Sequence, residues 1–118
     1  MSSILFVIND APYGSEKAYN ALRLALQIKK DAPETVVRIF LMADAVLCSL
    51  PGQKTPEGYY NIERFLKGLM GKGCVVKLCG TCMDARGLTE VKLVEGAMRS
   101  NLAELSAWVI DSDKVMTF

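Results

Sequence analysis

Histidine is absent from the chain. Its absence excludes Cys–His and Ser–His catalysis and every zinc site that needs imidazole. Long apolar runs are missing as well: none approaches the ~20 residues that a membrane span needs. Neither G-x-G-x-x-G nor G-x-x-x-x-G-K-[ST] occurs, so Gly14 does not create a phosphate loop. No charge of one sign is in excess. The formal net charge is +1, with acids and bases interspersed, which argues against nucleic acid or an anionic membrane as the main partner. Cysteine is sparse, because four in 118 residues do not make a disulfide scaffold. Met1 to Phe6 has no basic segment, and Asn9-Asp10 cuts the first apolar run short. That run is expected to be a first strand rather than a signal peptide, with a reducing cytoplasm as the compartment. There the cysteines are buried hydrophobes, metal ligands or reactive thiols.

What is present fits one core. Apolar residues make up 51% of the chain, too many for a disordered segment. Strands are expected near residues 3–9, 35–42, 74–79, 93–97 and 113–118. The first is a nearly continuous apolar run, as in a strand covered on both faces. Asn9 to Gly14 is dense in turn formers, and Ser15 is the expected N-cap of a helix ending near Lys30, where Pro33 stops it. Arg38 is expected to point toward an edge or an interface. Asp44 is expected to cap a short helix holding Ala45, Val46 and Leu47. Pro51 to Gly58 reads as a loop long enough for a mobile flap. Ile62, Phe65, Leu66, Leu69 and Met70 form the cleanest helical stripe, ended by Gly71 and Gly73. Met98, Leu102, Leu105 and Val109 mark a final helix. Strands alternating with helices favour right-handed βαβ units and a parallel sheet between helical layers, as one domain over residues 1–118.

The chemistry concentrates in Gly73 to Gly87. Cys74 to Leu78 is a buried strand rich in β-branched residues. Cys79-Gly80-Thr81-Cys82 follows at C-x-x-C spacing. In a parallel sheet the ends of successive strands share one edge, where ligands gather. The loops Asn9–Ser15 and Asp44–Gly58 can therefore surround Cys79, with Asp10, Tyr13, Ser15 and Asp44 as candidate pocket residues. Thr81-x-x-Asp84 resembles a capping box that starts one turn ending at Gly87. Amides at its start favour a thiolate, with Arg86 as the nearest candidate cation, while Lys77 points away. Cys79 is then either a nucleophile that carries sulfur or exchanges disulfides, or a small space-filler at a strand end. One C-x-x-C supplies only two zinc ligands, and Cys48 and Cys74 lack the spacing of a second pair. Both of those read as buried hydrophobes. No metal or cofactor is expected.

Ala11-Pro12-Tyr13-Gly14-Ser15-Glu16, Phe40-Leu41-Met42-Ala43-Asp44-Ala45-Val46 and Lys77-Leu78-Cys79-Gly80-Thr81-Cys82 resemble the YchN-like branch of the DsrE/DsrF family. Arg86-Gly87, Ala107-Trp108 and Asp113-Lys114-Val115 fit as well. The resemblance runs from end to end. It implies a three-layer α/β/α fold with a five-stranded parallel sheet, and trimers or hexamers. Sulfur-relay members of the family accept a persulfide on a cysteine in this loop, eight residues before the glycine of an Arg-Gly pair. That position is Cys79 here, not Cys82.

The expected function is a small cytoplasmic sulfur carrier or sulfurtransferase. Cys79 takes a persulfide from a sulfur-donor protein and passes it to a sulfur-acceptor protein, with Cys82 resolving it. Asp10, Tyr13, Ser15, Asp44, Thr81 and Arg86 are the expected binding residues. The alternatives are a non-enzymatic oligomeric protein that binds a small molecule, or a thiol–disulfide redox protein. Tyr59, Tyr60, Trp108 and Phe118 are the expected interface aromatics of a homo-oligomer.

Overall fold

The computed structural model describes residues 2–55 and 60–118. Tyr59 and the Pro56–Gly58 part of the expected flap lie outside the described residues. The order of elements is β1 (Ser3–Ile8), α1 (Lys17–Asp31), β2 (Val36–Leu41), a 3₁₀ helix (Ala43–Ser49) and α2 (Ile62–Gly71). Then follow β3 (Val75–Cys79), α3 (Gly80–Asp84), β4 (Met98–Ser100), α4 (Leu102–Asp111) and β5 (Lys114–Thr117). The strands form one five-stranded sheet in the order β4-β3-β2-β1-β5. Every pairing is parallel, as the alternation of elements predicts.

Register divides the side chains between two faces. Val37, Ile39, Leu41, Val76 and Leu78 are almost entirely buried. They share the face covered by α1 and α2, which pack on each other and on β1 and β3. The opposite face carries Arg38, Phe40, Lys77 and Cys79, since Phe40 pairs with Lys77 across β2 and β3. Helix α4 covers this face. Its Trp108 ring stands edge-on to Phe40 with centroids 6.2 Å apart, while Arg38 Cζ and Lys77 Nζ lie 5.8 and 4.8 Å from the Trp108 centroid. Arg38, expected at an edge or interface, is instead held inside the chain, paired with Asp111 at 3.0 Å and stacked on Trp108.

The connections explain why helices occupy both faces. From β1 to β4 the chain steps steadily in one direction across the sheet. It then returns past β1 to place β5 on the far side. Right-handed crossovers put the returning helix on the opposite face from the outgoing ones. Asp113 anchors the return: its carboxylate accepts from the Ser3 amide at 2.8 Å, and its own amide donates to Ser3 Oγ at 3.1 Å.

Three boundaries differ from expectation. The fourth strand is Met98–Ser100, not 93–97. The Val94 amide donates to Ser49 O at 2.7 Å, and Gly96 adopts φ +98°, so this segment turns over α2 instead of entering the sheet. Met98 therefore lies on a strand and not on the final helix. Its apolar spacing with Leu102 is overridden by Asn101, whose side chain accepts from the Glu104 amide at 2.9 Å and caps α4. Ser15 is not the N-cap of α1. Glu16 holds that position, and Ser15 Oγ donates to the Asp10 carboxylate while accepting from the Lys17 amide at 3.3 Å.

Leu78 is fully buried beneath the α1–α2 layer, whereas Leu102 is 71% exposed. Leu78→Ala is expected to lower unfolding free energy by about 2–5 kcal/mol through the cavity it leaves. Leu102→Ala should change it by no more than about 0.5 kcal/mol. Urea titrations of the two variants provide the check.

Candidate functional site

A pocket of about 500 Å³ opens at the carboxyl edge of the sheet, between the ends of β3 and β4. Its position follows from topology. The segment leaving β3 turns toward the α2 face, where Gly96 sits beneath the Met70 sulfur. The segment leaving β4 enters α4 on the other face. Adjacent strands whose continuations diverge in this way leave a crevice. Cys79, Gly80, Thr81 and Cys82 line one side, Arg99, Ser100, Asn101 and Leu102 the other, with Phe40 and Met42 as floor.

Cys79 is the last residue of β3 and the N-cap of α3. Its Sγ accepts from the Cys82 amide at 3.3 Å and lies 3.2 Å from Thr81 Oγ1. The expected capping box from Thr81 to Asp84 is thus displaced by two residues: the cysteine sulfur is the capping acceptor, and Thr81 and Cys82 lie within the helix. Burial raises the Cys79 thiol, but hydrogen bonds from the Cys82 thiol, the Thr81 hydroxyl and both their amides outweigh it, and the net shift is downward. Cys82 shifts the other way. Burial raises it, as does the bond it donates to Cys79, against the Ala43 amide and the Arg86 charge, which lower it. The hydrogen bonds that Cys79 accepts thus favour its thiolate, while Cys82, their donor, is held as a thiol.

Of the expected binding residues, Thr81 lines the pocket with the cysteines, while Arg86 and Asp44 stand behind Cys82 outside the lining. Thr81 touches Cys79. Arg86 donates to Cys82 O at 3.0 Å and holds Asp44 at 2.8 and 2.9 Å. Asp44, expected to cap this 3₁₀ helix, lies instead in its first turn, two residues past the N-cap Met42, and its carboxylate ties that helix to the segment after α3. Just before it, Ala43 adopts φ 50°, a left-handed conformation that costs a non-glycine residue roughly 1–2 kcal/mol. The Ala43 amide interacts with the Cys82 sulfur.

Asp10, Tyr13 and Ser15 form a separate cluster and do not line this pocket. Tyr13 Oη donates to Tyr60 O at 3.2 Å and accepts from the Ile62 amide at 3.3 Å, fastening the start of α2 to the loop after β1. Tyr60 itself stacks on Tyr19 with centroids 3.8 Å apart. The remaining cysteines are buried apart from the pocket. Burial, aided by the Asp10 charge, pushes the Cys48 thiol up to about 12, and burial likewise raises Cys74. Lys77 shares the sheet face of Cys79, but its side chain runs beneath Trp108 to Glu104, 3.3 Å away.

Arg99 is the site residue that sequence reading missed. It follows from the displaced fourth strand: with β4 at Met98–Ser100, Arg99 to Leu102 fall at the same sheet edge as Cys79. Both Nη atoms of Arg99 grip the Asp84 carboxylate at 2.8 Å. The Arg99 bonds, reinforced by Thr89, hold the Asp84 carboxyl down to about 2.

A cysteine pair thus stands at the divergence of two parallel strands on an α/β scaffold. The chain belongs to the DsrE/DsrF-like family, whose profile matches residues 2–118, a family associated with sulfur relay. Protein YchN of Escherichia coli strain K12 is 45% identical to it over 118 residues, covering 100% of both chains. MJ0989 of Methanocaldococcus jannaschii is 43% identical over 112 residues, covering 95% of this chain and 96% of that one. The crystal structure of the E. coli YchN protein matches with a TM-score of 0.96 over the full length of both chains at 45% identity. MTH1491 of Methanobacterium thermoautotrophicum shares the fold, with a TM-score of 0.81 at 12% identity and 100% coverage of both chains.

Two outcomes test this geometry. With iodoacetamide at neutral pH, peptide mass mapping should find Cys79 modified first, Cys82 more slowly, and Cys48 and Cys74 only after denaturation. Gly80→Ala should destabilise the protein by about 1–3 kcal/mol. The added Cβ would stand 2.9 Å from Ser100 O, a backbone atom that cannot rotate away, and 2.9 Å from Arg99 Cζ. Thermal unfolding measures this second effect.

Proposed function

We propose that the chain is a sulfur carrier that holds sulfane sulfur as a persulfide on Cys79. The observation that supports this reading is the capping geometry at Cys79. A thiol at a strand tip borders an open pocket, and its thiolate is favoured by the Cys82 amide and the Thr81 hydroxyl. A thiolate is the form that attacks sulfur.

In the loading step the Cys79 thiolate attacks the outer sulfur of a donor R–S–SH. A new S–S bond forms on Cys79, the donor's S–S bond breaks, and R–S⁻ leaves with the electron pair. In the unloading step an acceptor thiolate attacks the outer sulfur of Cys79–S–SH, becomes the new persulfide and releases the Cys79 thiolate. Without an acceptor, the Cys82 thiolate attacks the inner sulfur and expels HS⁻, leaving a Cys79–Cys82 disulfide. The outer sulfur is then reduced to sulfide as the two cysteines are oxidised. The raised Cys82 thiol slows this exit, because only the thiolate attacks. The acceptor is a cysteine protein of a reducing compartment, the cytoplasm.

The carrier acts as a homo-oligomer, a trimer or hexamer. Supporting this, Met98, Leu102, Val109, Ile110 and Val115 leave apolar surface exposed on α4 and on the outer strands β4 and β5. Of the expected interface aromatics, Trp108 and Phe118 are engaged within the chain, on Phe40 and Phe6. Covering the exposed aliphatic residues is the more favourable burial. Sedimentation at micromolar concentration should show the oligomer, and Ile110→Glu, at a residue 83% exposed, should shift it toward monomer.

Incubation with polysulfide or with a persulfide-bearing sulfurtransferase, followed by intact-mass measurement, tests the carrier. The wild type should gain the mass of one sulfur atom. Cys79→Ser should lose that gain, whereas Cys82→Ser should keep it and hold it longer. Gain retained in Cys79→Ser and lost in Cys82→Ser reverses the assignment.

A further inference from the structure

The described residues that line the Cys79 pocket include no carboxylate and one charged side chain, Arg99. Its place is built. Gly80 has no side chain where the guanidinium crosses it: a Cβ there would lie 2.9 Å from Arg99 Nε and Cζ. The cation therefore rests against the backbone of the residue that follows Cys79. Asp84 fixes its orientation through both Nη atoms at 2.8 Å, yet Asp84 itself stands outside the pocket lining.

The other cations nearby are turned elsewhere. Arg86 is bound to Asp44 and to Cys82 O, and Lys77 to Glu104 beneath Trp108. Neither lines the pocket. An anion entering it meets the guanidinium of Arg99 and the polar groups of Thr81 and Asn101; the Ser100 hydroxyl is already given to Glu104, which, like Asp84, stands behind the lining and not in it.

We infer that Arg99 makes this pocket selective for small anionic sulfur donors, those whose negative charge lies beside the S–S bond that Cys79 opens. The assignment rests on the reading of Cys79 as the sulfur acceptor. Arg99 offsets the repulsion between the Cys79 thiolate and an incoming anion, and it stabilises the thiolate that departs as R–S⁻. It is a positioning residue, forming no bond to sulfur. The Arg99 and Cys79 charges favour one another, which agrees with this arrangement.

Two alkylating reagents of similar size and opposite character test it: iodoacetate, an anion, and iodoacetamide, which is neutral. The ratio of their rate constants at Cys79, followed by peptide mass mapping, reads the local charge. In the wild type the ratio should exceed that of a free cysteine thiolate several-fold. Arg99→Gln should bring it to the free-thiolate value, and Arg99→Lys should restore most of it. Circular dichroism confirms that each variant is folded. Should Arg99→Gln fail to fold, salt decides on the wild type alone: rising ionic strength should slow iodoacetate and leave iodoacetamide unchanged. An equal ratio in wild type and folded Arg99→Gln overturns the inference, as does an iodoacetate rate indifferent to salt. Neither reagent carries sulfur. A charge-selective Cys79 that never gains a sulfur atom removes the carrier reading and leaves the role of Arg99. A Cys79 that gains sulfur without charge selectivity removes the role of Arg99 and leaves the carrier.

Discussion

The handedness of the crossovers is the constraint from which the rest of the molecule follows. Parallel strands joined by right-handed connections cannot add a strand beyond β1 after reaching β4 unless the connecting helix crosses the other face. Helix α4 is that helix. Its passage buries Trp108 against Phe40 and converts the Arg38 and Lys77 positions from liabilities within the sheet into partners of an aromatic ring. The same reversal separates the continuations of β3 and β4, and the crevice between them is where Cys79 stands. The fold and the location of the site thus have one cause.

Within that crevice, chemistry is decided by short-range hydrogen bonds and not by bulk charge. The protein is close to electrically neutral, at +1. The two cysteines of the C-x-x-C are three residues apart and share one turn, but their thiols are pushed in opposite directions because one accepts hydrogen bonds that the other supplies. The outer framework is similarly local. Asp44–Arg86 ties the 3₁₀ helix to the segment after α3, and Asp84–Arg99 ties α3 to β4. An ionised Asp84 contributes stability that is fully present above the ordinary carboxylate range near 4 and is lost as pH falls toward about 2. The clamp at the pocket is therefore closed across the whole neutral range.

Much of this was legible in the sequence, for physical reasons. The buried strands announce themselves as apolar runs because both faces are covered, and Ile62 to Met70 shows the helical stripe of an element with one wet face. Cys79 could be placed at a strand tip because β-branched residues precede it and turn formers follow. The fourth strand could not be read in this way. Met98-Arg99-Ser100 is three residues long and largely exposed, and it is held by its neighbours more than by its own composition. Losing that strand hid Arg99, and with it the charge beside the thiol. Asp10, Tyr13 and Ser15 illustrate the converse. They share the sheet edge with Cys79, but the edge is wide, and their hydrogen bonds hold the loop after β1 to the start of α2.

The sulfur of Cys79 occupies a place in α3 that an oxygen of serine, threonine or aspartate fills in most helices. A structural bond and the sulfur proposed to carry the persulfide are consequently one and the same. Every change of state at that sulfur, whether proton loss, a second sulfur or a disulfide, alters the acceptor seen by the Cys82 amide. The backbone of this short helix is an internal gauge of the oxidation state of its own cap, and the nitrogen and proton resonances of Cys82 are where that gauge is read.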